Sequence, residues 1–143
     1  MKHTQIIWDV LRELGIASNY ISQRRTVVAI RLAVEDENRL LGVIKNIYFP
    51  TAQICDCKWT AVERNIRTVT QRVWSINSEG LIRMAGYPLN DAPTAAGFLE
   101  ILSHHIRQSL SVDCVAQSLR MYNSDVPPEW RVDPQDVHGT LCI

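Results

Sequence analysis

Apolar residues recur three and four positions apart along most of the chain, and no convincing pair of strands appears, so the sequence predicts an all-α fold. The first run stops at Gly15, which predicts a helix over residues 4–14. A second helix is predicted over residues 20–35, although its β-branched residues are also typical of a strand. The charged stretch Glu35 to Asn38 then interrupts the pattern.

The apolar pattern resumes over residues 40–54, with Pro50 inside it. Because proline does not fit a helix interior, Pro50 either kinks this helix or begins a separate short one. A turn over residues 55–58 follows, in which Asp56 is a candidate N-cap. The segment from there to about Ser75 is the clearest helix of the sequence.

The last third of the chain shows shorter patterns. Residues 78–85 predict a short helix that Gly86 closes, and Thr94 is a candidate N-cap for a helix to about Ser109. Residues 112–121 are compatible with a helix, whereas the Pro- and Asp-rich stretches over 123–128 and 133–134 predict loop. We therefore expect a helical domain over residues 1–109 and a partly irregular extension over residues 110–143.

Residues 59–75 have two distinct sides on a helical wheel of about 100° per residue. The apolar side consists of Trp59, Val62, Ile66, Val69 and Val73. The opposite side consists of Thr60, Arg64, Arg67 and Gln71, with Glu63 at the flank between the two. This division predicts that the first side packs on a core and that the second faces outward.

The outward side carries the side-chain types that recognise base edges in DNA. Arginine donates two hydrogen bonds to guanine, glutamine pairs with adenine, and glutamate accepts from cytosine. Lys58, Thr60 and Arg72 are candidates for phosphate contacts. The apolar segment and the turn before this helix favour a helix-turn-helix. The alternative is an ordinary helical hairpin. In that case the polar side is simply solvated, and Glu63 and Arg67 form a charge pair one helical turn apart.

The charge distribution is compatible with DNA binding although the net charge is zero. Residues 1–110 contain 13 Lys and Arg against 10 Asp and Glu, which gives +3, and the rest of the chain carries −3. Between Lys58 and Arg72, four cations accompany the single acid Glu63. A local basic patch suffices for phosphate binding, but overall neutrality predicts modest non-specific affinity.

Other classes of protein find little support. No apolar run approaches the roughly 18 residues that span a bilayer, and Asp9 and Arg12 interrupt the only N-terminal apolar stretch, so we expect a cytoplasmic protein without membrane contact. Cys55 and Cys57 with His104 and His105 fit no paired zinc pattern. The simpler interpretation is that Cys55 is a small buried hydrophobic residue and that Cys57 lies in a turn. We predict no catalytic residues, no metal, no cofactor and no small-molecule substrate.

Residues 3 to about 108 resemble the C-terminal DNA-binding domain of the stage-zero sporulation response regulator family of endospore-forming bacteria. The most specific points are Val62-Glu63-Arg64-Asn65-Ile66-Arg67, then Trp74, then Gly86-Tyr87. Further points are Glu13-Leu14-Gly15-Ile16, Leu40-Leu41-Gly42, Ile44-Lys45, Pro93-Thr94 and Phe98.

The resemblance implies a six-helix effector domain whose third and fourth helices form a helix-turn-helix. It implies that Glu63, Arg64 and Arg67 face the major groove and read a short box containing G·C pairs, to which the wheel adds Gln71. Double-stranded DNA is then the expected partner, bound by two copies on neighbouring boxes, and the expected role is transcription regulation.

The chain also departs from the family. It leaves no residues for the family's N-terminal receiver domain, and the loop from Tyr87 to Thr94 is short and lacks lysines, which weakens the case for its contact with the DNA backbone. Cys57, Lys58 and Trp59 stand where small and hydroxylated residues are usual. For Trp59 we favour a core anchor over a side chain that alters how the helix meets the groove.

These departures leave a second hypothesis open. The chain could be a protein-interaction module that keeps the fold but modulates a full-length regulator without reading DNA. Its acidic extension is either a solvated appendage or a segment that covers the basic face and weakens DNA binding.

Overall fold

The computed structural model describes residues 3–16 and 21–130 and contains no strand there, which confirms the all-α prediction. The α-helices are α1 (Thr4–Glu13), α2 (Ile21–Glu35), α3 (Phe49–Cys55), α4 (Trp59–Ala85) and α5 (Ala95–Ser124). A 3₁₀-helix (Glu37–Gly42) and a π-helix (Ile44–Tyr48) connect α2 to α3, and a second 3₁₀-helix covers Pro128–Trp130. Non-helical backbone at Asn77 divides α4 in two, so the described ranges contain the six α-helices that the resemblance implies.

The helix α2 lies at the centre of the core. Every residue from Thr26 to Ile30 is buried, and so are Leu32, Ala33 and Val34. The helix contacts α1, the first 3₁₀-helix, the π-helix, α3 and α4. A helix with apolar residues all round is stable only when other elements surround it, which explains why its β-branched run forms a helix here rather than a strand.

Glycines end two of the helices at the predicted positions. Gly15 follows α1 with φ +96°, and Gly86 follows α4 with φ +76°. Residues with a side chain rarely adopt such positive φ angles, whereas glycine adopts them readily. At Gly15 there is also no room for a side chain, because an added Cβ would lie 2.7 Å from Cγ2 of Ile76. The predicted ends of both helices are thus confirmed.

Proline and aspartate act differently in the middle of the chain. Pro50 lies in the first turn of α3, so it begins a separate short helix, which is one of the two predicted outcomes. The prediction that Asp56 is an N-cap is wrong. Asp56 instead has left-handed backbone (φ 53°, ψ 58°) and closes α3, while Lys58 precedes α4 without a side-chain capping bond. A left-handed residue already ends the preceding helix, and aspartate tolerates that conformation better than most residues.

Thr94 is the N-cap of α5, as predicted, because its Oγ1 accepts a hydrogen bond of 3.1 Å from the Gly97 amide. The prediction that this helix ends near Ser109 is wrong, since α5 continues to Ser124. No glycine or proline occurs between Gly97 and Pro127, so nothing in the sequence stops the helix earlier. The predicted loop at 133–134 lies outside the described residues.

The chain divides into two compact units between Ile106 and Arg107. The first unit contains α1 to α4 and α5 as far as Ile106, and α5 buries Phe98, Leu99 and Leu102 within it. None of the described helices is both long enough and apolar enough to span a bilayer.

Candidate nucleic-acid interface

A tight turn joins α3 to α4. Only Asp56, Cys57 and Lys58 separate the two helices, and the Cys57 amide donates a hydrogen bond of 3.0 Å to the Ala52 carbonyl oxygen. The left-handed backbone of Asp56 reverses the chain at this point, and α3 and α4 are in contact. A short helix, a turn of three residues and a long amphipathic helix follow the order of elements in a helix-turn-helix unit.

One side of α4 is fixed in the core. Val62, Ile66 and Val73 are completely buried and Val69 is 5% exposed, which confirms the apolar side that the wheel predicts. Thr70 is buried on the same side and donates its hydroxyl to the Ile66 carbonyl oxygen at 2.7 Å. The orientation of α4 about its own axis is therefore set by packing.

Trp59 anchors the first turn of α4 to the preceding elements. Its ring stacks on Tyr48 at 6.4 Å with an interplanar angle of 7°, and meets Phe49 edge-on at 5.9 Å. Trp59 itself is half-buried. It therefore joins α4 to the π-helix and to the start of α3 at the edge of the core, which supports the favoured interpretation of this residue.

The opposite side of α4 faces outward. Of the residues that the sequence analysis assigned to base contacts, Arg64, Arg67 and Gln71 are exposed and Glu63 is half-buried. The assigned backbone contacts Lys58, Thr60 and Arg72 are also exposed. All seven lie on or just before the first half of α4, ahead of the kink at Asn77.

The two arginines of the outward side differ in their partners. Arg67 forms an ion pair with Glu63 one helical turn earlier. Arg64 forms no side-chain hydrogen bond or ion pair with any residue that the structure describes, and only its carbonyl oxygen accepts, from the Thr68 hydroxyl. Arg64, like the exposed Arg72 farther along α4, is therefore immediately available to a ligand.

An open groove of about 830 Å³ runs along the flank of α4. Glu63, Arg67 and Gln71 line one wall. The other walls are formed by residues 42–45 with Tyr48, and by residues 92–96 before and at the start of α5. The structure thus adds Lys45 to the cations beside the predicted surface. In the sequence, Lys45 was noted only as part of the family resemblance. The helical wheel that identified the other residues covers 59–75 and does not include it.

Tyr48 forms part of this groove with its ring almost wholly buried. The pKa of Tyr48 is raised to about 12, mainly by burial and also by the nearby charge of Glu63, whereas the charge of Arg67 acts to lower it. The phenol is therefore neutral near pH 7.

The thiols of the turn form no evident metal site. Cys55 and Cys57 are free and half-buried, so the interpretation of Cys55 as a buried residue is wrong. Within the described ranges no three His, Cys, Asp or Glu side chains come together as metal ligands would. Burial raises the pKa of the Cys55 thiol, the Arg24 charge lowers it, and Cys57 raises it. His104 is exposed on α5.

Comparison with known families gives one match over most of the chain. The family described as sporulation initiation factor Spo0A C terminal matches residues 7–106, which include the whole helix-turn-helix and its supporting core. No curated protein and no solved structure matches the chain significantly.

Proposed function

Because the chain belongs to the family of sporulation initiation factor Spo0A C-terminal domains, which are DNA-binding effector domains, we propose that it regulates transcription by binding duplex DNA sequence-specifically. The family is one of regulators and not of enzymes. The observation that carries the proposal is the exposed, unpaired guanidinium of Arg64 on a helix that packing holds by its other side.

The first half of α4 enters the major groove in this proposal. Arg64 and Arg67 donate to O6 and N7 of guanines, Glu63 accepts from the amino group of a cytosine, and Gln71 makes a secondary contact. An α-helix fits the width of the major groove of B-form DNA, and contacts from its first turns typically reach the base edges.

The Glu63–Arg67 ion pair gives these two residues a joint role. Glu63 is the less exposed partner, with 29% of its side chain accessible against 57% for Arg67. Glu63 therefore holds the guanidinium in place before DNA binds, and this preorganisation reduces the entropy lost on binding. Arg64 has no such support and orders only on the DNA.

Phosphate contacts fix the register of the helix. Lys58 and Thr60 at the start of α4 and Arg72 farther along it are exposed and polar. We further propose that two copies bind neighbouring boxes, as the family resemblance implies, with each copy presenting its own α4.

A second function has some support from the surface. Leu41 is 88% exposed and Ile44 is 46% exposed, and exposed apolar side chains suit a protein partner. Together with the zero net charge, they favour a module that modulates a full-length regulator without reading DNA.

Selection of duplexes from a randomised pool, followed by fluorescence anisotropy at two salt concentrations, separates the two functions. DNA reading predicts an enriched sequence containing G·C pairs and an affinity that falls with salt by about 0.9 log units per log unit of salt for each phosphate contact. Equal affinity for selected and scrambled duplexes would contradict sequence-specific reading. An absence of any enriched sequence would favour the interaction module.

A further inference from the structure

The turn of the helix-turn-helix contains two thiols that the proposed DNA contacts do not use. Cys55 is the last residue of α3, Cys57 lies two residues before α4, and Asp56 separates them. Both thiols are free, and both residues are partly exposed to water.

The backbone of the turn brings the two cysteines within reach of each other. Cα atoms two positions apart in helical geometry are about 5.4 Å apart, and a left-handed residue such as Asp56 gives the same spacing by mirror symmetry. An extended residue would separate them by about 6.6 Å. The helical spacing falls within the range of about 4.4–6.8 Å between the Cα atoms of disulfides, and closing the bond then requires the two Cβ atoms to turn toward each other.

The surroundings of the thiols assign different roles to them. Burial raises the pKa of Cys55, and the charge of Cys57 raises it too, which places the two sulfur atoms within electrostatic reach of each other. Because a raised pKa leaves a smaller fraction of the thiol as the reactive thiolate near pH 7, Cys55 is the less suitable thiol for the first reaction with an oxidant. Cys57, in the turn itself, is then the first to react.

We propose that Cys55 and Cys57 are a redox modification site at which hydrogen peroxide forms an intramolecular disulfide. We further infer, on the basis of the proposed function, that this disulfide weakens DNA binding by α4. The ligand class is a small peroxide, and the reduced pair is the form that binds DNA.

The chemistry balances without another reactant. The Cys57 thiolate attacks one peroxide oxygen, the O–O bond breaks, and the products are a sulfenic acid and hydroxide, which takes up a proton to become water. The Cys55 sulfur then attacks the Cys57 sulfur, the S–O bond breaks, and a second water leaves. Two thiols thus lose two electrons and two protons to one peroxide, and an added dithiol reverses the reaction by exchange.

The turn transmits this change to the DNA-binding surface. The Cys57 amide is bonded to the Ala52 carbonyl oxygen, and Lys58 and Trp59 follow at once. Because side chains two positions apart on helical backbone point in different directions, closing the disulfide turns the backbone on both sides of Asp56. This movement shifts the start of α4 relative to α3. We expect the affinity for the selected duplex to fall about tenfold.

Mass spectrometry of the full chain tests the modification without any DNA. Trypsin cleaves after Lys45 and Lys58, and the resulting peptide 46–58 contains both Cys55 and Cys57 and neither of the other cysteines. After treatment with hydrogen peroxide, we expect this peptide to lack two hydrogens and to regain them with a dithiol. Sulfinic acid on one cysteine, a disulfide to another peptide, or an unmodified peptide would each overturn the proposal.

The variants Cys55→Ser and Cys57→Ser provide matched controls. Cys55→Ser should stop at a sulfenic acid on Cys57 that dimedone traps, whereas Cys57→Ser should react much more slowly. Equal reaction of both variants would overturn the assigned order.

Anisotropy of the oxidised and reduced wild-type chain tests the consequence for DNA. A tenfold loss that a dithiol restores, and that Cys55→Ser does not show, supports regulation. A formed disulfide with unchanged affinity overturns the regulatory part. A chain that forms the disulfide but binds no duplex in either state refutes the proposed function and leaves the modification site established.

Discussion

The first half of α4 has two faces that differ sharply in burial, although their residues are interleaved in the same stretch of sequence. The face around Ile66 is almost entirely buried in the core, where α4 contacts the central helix α2. The face around Arg64 is exposed. Burial fixes side chains and contributes to the stability of the fold, whereas the exposed face contributes little to it. Substitutions on the two faces should therefore give opposite patterns of stability and DNA affinity.

The largest effect is expected on the buried face. Ile66→Ala leaves a cavity at a completely buried position and should lower the free energy of unfolding by about 2–5 kcal/mol, as measured by urea denaturation. The folded fraction should bind DNA with unchanged affinity, because the exposed face is intact. A loss well below 1 kcal/mol would show that α4 is not held by this face.

Arg67→Ala should show the reverse pattern. We expect a loss of about 1–3 kcal/mol in discrimination between the selected duplex and one with its guanines replaced. The free energy of unfolding should change by no more than about 0.5 kcal/mol, because an exposed ion pair one turn apart stabilises a helix weakly. Urea denaturation and anisotropy on the same preparation check both parts, and a large loss of stability without loss of discrimination would contradict the assignment.

The kink at Asn77 ends the first half of α4, and a substitution there should lower stability. Oδ1 of Asn77 accepts a hydrogen bond of 3.0 Å from the Gly80 amide, so Asn77 caps the second half of α4. Asn77→Ala should lower the free energy of unfolding by about 1 kcal/mol. Asn90→Ala, at an exposed loop position, is the control that should change it little. Equal effects of the two substitutions would argue against the cap.

The smallest effect is expected for Glu63→Gln. The substitution keeps the shape of the side chain but removes its charge, so stability should fall by about 0.2–0.5 kcal/mol at low salt and less at high salt. Thermal denaturation at the two salt concentrations measures the difference. A loss that is independent of salt would mean that Glu63 acts through packing rather than through the ion pair with Arg67.

A structural feature could be predicted from the sequence where it depends only on neighbouring residues. The two faces of α4 follow from residue spacing alone, because a helix repeats every 3.6 residues, and Gly15 and Gly86 mark helix ends through their own conformations. Asp56 could not be assigned in the same way, since aspartate suits both an N-cap and a left-handed helix end, and the tertiary structure decides between them.

The groove beside α4 could not be predicted from the sequence, because residues distant in the chain form it. Lys45 and Tyr48 come from the π-helix and Thr94 from the residue before α5, and only the packed structure brings them next to Glu63 and Arg67 on α4. The stacking of Trp59 on Tyr48 likewise joins residues from different elements. The family resemblance pointed to some of these residues, but no periodicity predicts which of them meet.

The most direct test of DNA reading by α4 compares Arg64→Ala with Arg83→Ala. Both substitutions remove one exposed arginine from the same helix, but Arg83 lies beyond the kink at Asn77 and outside the outward face of the first half. Anisotropy on the selected duplex and on one with its guanines replaced should show about 1–3 kcal/mol less discrimination for Arg64→Ala and nearly unchanged discrimination for Arg83→Ala. Equal discrimination in both variants and the wild type would contradict base reading by this helix.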